Sequence, residues 1–293
     1  MEVFKTMLKE DWVKITLASV ALYTSFAVDQ SYQTEPCCWL YDAFLKSMPC
    51  VLIGVGVWSM PLTIGFWLSA MGDFFLASRD SDLGFLLGLG AFLLSQWVFV
   101  YSFLTAKTKE TEEKEAVYMP IHFFDENFEL VETQLITSTS SGTLGGLLPS
   151  LDLTSMGGKI KLLFMLASYG YAAYLFNLLY PSIKAADGGL ELPVTFYCFS
   201  IATMMASAIH YQSFLGITGA ILFVISDSYL SLNMFLKPMP HSKLIIMSTY
   251  FAAQLLLGMT FKESQDKLKR IQQYLEAHFD FQKVSMEAAT KIE

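Results

Sequence analysis

Two aspartates stand inside long apolar stretches of the sequence. Asp73 lies in the segment 69–77 and Asp227 in the segment 223–231, and both fit the local pattern small–Asp–x–x–Leu–small. A charge at the centre of a bilayer costs at least ~2.5–3.5 kcal/mol on insertion scales, so an intramembrane acid marks a functional site by default. Two matching acids indicate acid–base chemistry or proton-coupled transport. The alternative is that each one only holds helices together through a buried polar partner.

Other polar residues in the apolar stretches are candidates for the same site. Lys46 opens one stretch as Lys-Ser-Met-Pro, and an interfacial lysine is the alternative interpretation. Gln96, Tyr250 and Gln254 lie well inside later stretches, where such side chains also join helices by hydrogen bonds. Ser226 supplies a hydroxyl beside the second acid.

The composition predicts the elements that must position these side chains. Of 293 residues, 54% are apolar and only 16% are charged, against about 25% charged in an ordinary soluble domain. A helix needs about 20 apolar residues to cross the hydrocarbon core. We therefore predict an all-α polytopic membrane protein, a bundle of about eight transmembrane helices. The predicted spans are Trp12–Val28, Phe44–Ser59, Pro61–Ser78, Leu83–Leu104, Lys159–Tyr180, Leu192–Ile209, Gln212–Leu236 and Ser242–Phe261.

The charge balance bears on partners and orientation. With 19 Lys and Arg against 27 Asp and Glu, the net charge is −8, which disfavours nucleic acid because phosphate neutralisation needs a basic surface. Eight spans put both termini on one side of the membrane. Most of the Lys and Arg residues lie at the termini and in the loops on their side, so the positive-inside rule predicts that both termini are cytosolic.

Two segments differ from the predicted membrane domain, residues 1–261. Residues 105–158 pass from a charged stretch to a small, polar one, and we predict a mostly disordered cytosolic loop insertion. Residues 262–293 form the second segment, in which Leu268, Ile271 and Leu275 recur at helical spacing. That spacing predicts an amphipathic cytosolic tail, on the membrane surface or against a partner.

Cysteine and histidine patterns indicate no metal site. The four cysteines form no framework, and the four histidines have no paired ligand spacing. We predict neither a metal nor another cofactor.

Three blocks of the sequence carry a family resemblance. They are residues 44–49, with the Lys-x-x-Pro element; residues 68–103, with the Gly-Asp-x-x-Leu element and a Gly/Phe-rich helix; and residues 219–254, which contain the second acid. On these blocks the chain resembles the YhhN-type membrane lysoplasmalogenases, especially their animal members.

The resemblance implies a fold, a place and an activity. The fold would be an eight-helix membrane bundle in the endoplasmic reticulum. The activity would be hydrolysis of the vinyl ether bond of lysoplasmalogen to a fatty aldehyde and a glycerophospho-ethanolamine or -choline, with Asp73 and Asp227 as the catalytic pair. The partners implied are lysoplasmalogen or a related single-chain lysophospholipid and membrane lipid, with a homodimer left open.

Two carboxyl groups suffice for that chemistry. An enol ether breaks down when its β-carbon is protonated, and water captures the resulting oxocarbenium ion as a hemiacetal that collapses to aldehyde and alcohol. One carboxylic acid and one carboxylate serve a similar cation in glycoside hydrolysis. Asp227, which lies nearer the middle of its span, is our prediction for the acid. Lys46 would hold the lipid phosphate.

One departure from the family pattern keeps other functions open. Family members usually place His where this chain has Gln96, and Gln cannot shuttle a proton. A proton-coupled transporter would use the same carboxylates and should show broken helices. A non-catalytic lysolipid-binding protein is the other alternative.

Overall fold

Eight helices account for nearly all of the chain that can be described. The computed structural model describes residues 11–32, 39–77, 82–117, 156–185 and 189–289, and within them only helices, turns and short connections occur. In chain order the helices are α1 Asp11–Tyr32, α2 Trp39–Val57, α3 Leu62–Ala77, α4 Asp82–Val117, α5 Met156–Ala185, α6 Glu191–Tyr211, α7 Phe214–Phe235 and α8 Ser242–Ala289. Each predicted span corresponds to one of them, which confirms the all-α polytopic bundle.

Six of the helices are long and apolar enough to cross a membrane, namely α2 and α4–α8. The apolar helix α3 has only 16 residues, or about 24 Å at 1.5 Å per residue, less than the ~30 Å hydrocarbon core. The helix α1 has 22 residues but includes Lys14 and several hydroxyl side chains.

The helices beside the two predicted extramembrane segments run further than the sequence indicated. Helix α4 continues to Val117, so residues 105–117 of the predicted loop are helical, while 118–155 lie outside the described residues. Helix α8 continues without interruption from the last span to Ala289. The predicted tail helix is therefore an extension of α8. The side chains of the predicted apolar positions Leu268, Ile271 and Leu275 are not among those that the structure describes.

Six helices close a ring, and two pack outside it. Helix α2 packs on α3, α3 on α4, α4 on α6, α6 on α7, α7 on α8, and α8 returns to α2. Helix α5 packs on α6 and α7, and α1 packs on α2 and α8. Only 6% of the most apolar stretch of α5 is buried inside the bundle, so this helix is peripheral.

Glycines let the helices that carry the two aspartates approach their neighbours closely. A Cβ at Gly72 would lie 2.6 Å from the ring of Phe92 on α4, and one at Gly219 would lie 3.2 Å from the carbonyl oxygen of Ala253 on α8. Small residues at helix interfaces in membranes permit such a close approach of two backbones. The glycine beside Asp73 therefore sets how near α3 lies to α4.

Candidate active site

Asp73 is buried at the meeting point of three helices. Its side chain lies in the core, and its Oδ2 accepts a hydrogen bond from the Tyr250 hydroxyl of α8 over 2.8 Å. The thiol of Cys50 on α2 lies 3.5 Å from the same oxygen and 3.3 Å from the Tyr250 hydroxyl. Lys46 Nζ, also on α2, lies 3.6 Å from Oδ1. An ammonium and two donors thus surround one carboxylate.

Asp227 has a different environment. Its Oδ2 accepts a 2.6 Å hydrogen bond from the hydroxyl of Tyr197 on α6. Both residues line a cavity of about 410 Å³ between α5, α6 and α7, whose wall is mainly apolar. A mostly apolar cavity with a few convergent polar groups is the usual form of a small-molecule site.

The two acids lie in the same part of the molecule. The ring of Tyr250 packs edge-on against Phe223, which is one turn from Asp227 on α7, with 5.8 Å between ring centroids. Because Tyr250 also donates to Asp73, one aromatic contact links the surroundings of the two acids. Asp73, Tyr250 and Phe223 do not line the cavity, whereas Asp227 does.

Both acids lie toward one end of the bundle. Asp73 is about one turn before the end of α3, and Asp227 is about two turns before the end of α7. Their partners Lys46, Tyr197 and Tyr250 come from the first few turns of α2, α6 and α8. We call this the acid end: the end at which α3 and α7 finish and α2, α6 and α8 begin.

The structure brings some of the predicted supporting residues to the acids and places others nearby. Lys46 and Tyr250 contact Asp73 directly. Ser226 donates to the carbonyl of Ile246 over 3.0 Å, which ties α7 to α8. Gln254 Nε2 donates to the hydroxyl of Ser69, one turn from Asp73, over 3.2 Å.

Gln96 is the unusual member of the predicted set. Its side chain is fully buried, and neither amide atom has a hydrogen-bond partner within the part of the chain that is described. The preceding residue, Ser95, does bond across to Ser69 over 2.7 Å. Gln96 therefore lies next to the hydrogen-bonded group of Ser69, Ser95 and Gln254, which we call the polar layer, and has no bond to either acid.

Sequence reasoning missed two residues of the site. Tyr197 lies less than two turns inside α6, where tyrosines of the membrane interface concentrate, so nothing distinguished it from an interfacial anchor. For Cys50 there was a signal. It stands four residues after Lys46, and that spacing puts both side chains on one helix face.

The side chains around the two acids include several proton donors and acceptors. The described residues contain no group of three or more His, Cys, Asp or Glu that could hold a metal ion. They provide two carboxyl groups, two phenolic hydroxyls, a thiol and an ammonium. This combination can donate a proton, accept one and stabilise a cation.

Comparison with protein-family models shows which family the chain belongs to. The YhhN family model matches residues 39–123 and 148–261, which is well over half of the sequence. The chain belongs to the YhhN family. The matched residues include Asp73, Asp227 and all the partners named above, and they reach further into the 105–158 segment than the resembling blocks indicated.

Individual known proteins match the chain over shorter stretches. "Lysoplasmalogenase TMEM86B" of Sus scrofa is 35% identical over 120 residues, 41% of this chain and 49% of that protein. The Homo sapiens protein of the same name is 34% identical over 101 residues, covering 34% and 41%. "Lysoplasmalogenase TMEM86A" of Bos taurus is 44% identical over 52 residues, covering 18% and 22%. The chain thus spans about half or less of the curated relatives that it matches. No solved structure matches it.

Proposed function

We propose that this YhhN protein hydrolyses the vinyl ether bond of lysoplasmalogen in the membrane. The observation that carries the proposal is the position of Asp227, an acid hydrogen-bonded to Tyr197 in the wall of an apolar cavity, near a second acid held by Lys46. The names of the related proteins support this substrate class. The products would be a fatty aldehyde and a glycerophospho-ethanolamine or -choline.

The two environments suggest different roles for the two acids. Asp73 faces an ammonium and accepts from a hydroxyl, which suits a carboxylate. Among the described residues, Tyr197 donates to Oδ2 of Asp227. This bond leaves Oδ1 to carry a proton. Asp227 is accordingly the acid and Asp73 the base.

In the first half of the reaction, Asp227 transfers its proton to the β-carbon of the vinyl ether. The C=C bond becomes C–H and C–C, and the ether oxygen shares the positive charge of the oxocarbenium ion. Water then attacks the α-carbon while Asp73 takes one of its protons, and this step forms the hemiacetal. For that step the reacting bond must lie on the inner side of Asp227, toward Asp73.

In the second half, the hemiacetal collapses and both acids return to their starting states. The hemiacetal hydroxyl gives its proton to Asp227, the bond to the glycerol oxygen breaks, and that oxygen takes the proton from Asp73. The sum is vinyl ether plus water to aldehyde plus alcohol. Paired carboxylates perform comparable steps in glycoside hydrolysis.

The setting of this activity is also a proposal. The distribution of Lys and Arg favours cytosolic termini, and the family resemblance favours the endoplasmic reticulum. Lys46 keeps its proposed contact with the lipid phosphate only if substrate draws it from Asp73, because the lysine is buried in the free protein.

Product analysis with purified protein in proteoliposomes tests the function. Two lysolipids with the same head group are offered side by side, one with a vinyl ether chain and one with an ester chain. We expect aldehyde from the vinyl ether and no cleavage of the ester, because ester hydrolysis does not start by protonation of carbon. Lysoplasmalogen binding without product would instead favour a non-catalytic lysolipid-binding protein.

A further inference from the structure

The cavity beside Asp227 is a groove that runs along the helices. Paired contacts give the register of its walls: Ser168 of α5 donates to Ala202 of α6, and the Tyr171 hydroxyl donates to Ser228 of α7. From the acid end, the α6 wall extends from Tyr197 to Ile209. Twelve residues of helix at 1.5 Å each give a length of about 18 Å.

The length of the groove matches one lipid chain. The hydrocarbon core of a bilayer is about 30 Å thick and contains the chains of two leaflets, so one chain occupies about 15 Å of it. A groove of about 18 Å parallel to the helices takes one hydrocarbon chain along its length. Its volume of about 410 Å³ lies in the range of ordinary ligand sites.

The two ends of the groove differ in polarity. At the acid end the wall includes Asp227, Tyr197 and Ser231, whereas the opposite end is lined by the apolar residues Phe164, Ile209 and Ile221. A single-chain lipid has the same asymmetry, with a polar head at one end and a methyl group at the other. The vinyl ether bond lies at the head end of its chain, so this orientation places it beside the acid.

The groove lies close to the bilayer. Its outer wall is the peripheral helix α5, whose other faces expose large apolar side chains such as Leu163, Leu166 and Tyr174. A lipid chain therefore needs to pass only one helix to enter. Little hydrophobic free energy is gained in that transfer, because lipid tails are as apolar as the wall, so selection among chains depends on shape.

We propose that the groove between α5, α6 and α7 holds the one hydrocarbon chain of the lipid, with its methyl end at Phe164, Ile209 and Ile221 and its head group at the acid end. The inference rests on the proposed function for the identity of the lipid. It adds that the groove limits chain length. It also places the head group in the leaflet away from the start of α1 and the end of α8, which lie at the opposite end of the bundle.

Photolabelling of the wild-type protein tests the chain's position without using catalysis. The probe is a hexadecyl ether lysophospholipid, which lacks the cleavable double bond, with a diazirine at the methyl end. We expect label on peptides around Phe164, Ile209 and Ile221, lost on competition with unlabelled hexadecyl lipid. A second probe with the diazirine beside the glycerol should label peptides around Asp227 and Ser231. Label spread equally over other helices overturns the proposal.

Chain-length selectivity gives the second measurement. Ala167→Phe puts a ring into the middle of the groove wall, and Ala173→Phe puts the same ring on an exposed part of α5 outside it. We expect Ala167→Phe to lower kcat/KM for a hexadecenyl substrate at least about tenfold relative to an octenyl substrate, and Ala173→Phe to leave that ratio unchanged. An unchanged ratio in both variants overturns the proposal.

The two proposals fail in different ways. If the wild-type protein releases no aldehyde from either substrate, the proposed hydrolysis is wrong, and photolabelling still tests the groove. If aldehyde is released but the label misses the groove, the hydrolysis stands and the chain site is wrong.

Discussion

The hydroxyl of Tyr197 donates a hydrogen bond to Asp227 Oδ2 over 2.6 Å, and the pair lines the same apolar cavity. The short distance is typical of a bond between a hydroxyl and a charged or strongly polar oxygen. The bond joins α6 to α7 and fixes the orientation of the acid. The position of a proton on Asp227 relative to the bound chain therefore depends on this tyrosine.

Tyr197→Phe removes that hydroxyl and keeps the ring. We expect kcat for aldehyde release to fall about 10- to 100-fold with little change in KM. Asp227 becomes a carboxylate as it gives up its proton, and a hydrogen bond to a charged group contributes about 1.5–3 kcal/mol. The matched control is Tyr169→Phe, which removes a 3.1 Å bond to Thr203 between α5 and α6. Equal losses in the two variants would show that the hydroxyl of Tyr197 acts only on packing.

Lys46→Met removes the counter-ion of Asp73. Both partners are buried, and breaking such a pair from one side costs about 3–5 kcal/mol because a buried charge is left uncompensated. We expect a lower unfolding temperature in detergent and loss of aldehyde release. The double variant Lys46→Met with Asp73→Asn should recover part of the stability and none of the activity.

An exposed ion pair provides the control for this effect. Lys14 and Asp11 on α1 lie 3.0 Å apart with side chains 56% and 87% exposed, and such pairs contribute about 0–1 kcal/mol. Lys14→Met should therefore leave the unfolding temperature nearly unchanged. A similar drop in both lysine variants would contradict the assigned role of Lys46.

The sequence was most informative about the elements and the two acids. Apolar length predicts a helix for every span, because each helix in lipid must satisfy its own backbone hydrogen bonds. A lone carboxylate within such a stretch is conspicuous, so Asp73 and Asp227 are identifiable without a structure. Lys46 and Tyr250 follow as polar residues in the same stretches.

The inner faces of the helices were much harder to predict. In water an apolar stripe marks the buried side of a helix, but a membrane helix is apolar on all sides. Nothing in the sequence therefore shows that α5 is peripheral, that α4 packs on α6, or that Tyr197 faces Asp227. Those relations arise from contacts between helices, such as the bond from Tyr197 to Asp227 across 30 residues of sequence.

Gln96→Met tests whether the buried amide has a role. Within the described chain its amide atoms have no hydrogen-bond partner, and an unsatisfied buried polar group costs about 1–3 kcal/mol. We expect an unfolding temperature equal to or above that of the wild type and unchanged aldehyde release. Loss of aldehyde release would assign Gln96 a part in the reaction.

The neighbouring Ser95 is the matched control for Gln96. Ser95→Ala removes the 2.7 Å bond to Ser69 on α3, and the net contribution of such a bond is about 0.5–1.5 kcal/mol. We expect this variant to be less stable than the wild type. A stabilising effect of Ser95→Ala would show that the hydrogen bond between Ser95 and Ser69 does not form in the protein.

Aldehyde release by Asp227→Asn and Asp73→Asn in proteoliposomes is the most direct test of the proposed acid–base pair. The control is Asp42→Asn, since Asp42 is a partly buried carboxylate in an ion pair of 3.6 Å with Lys243. Removing a general acid or base costs about 10²- to 10⁴-fold in rate, so we expect aldehyde release to fall by at least about 100-fold in the first two variants. Both variants should still fold and still be photolabelled in the groove. Aldehyde release should persist in the control. Unchanged turnover in Asp227→Asn and Asp73→Asn would contradict the account.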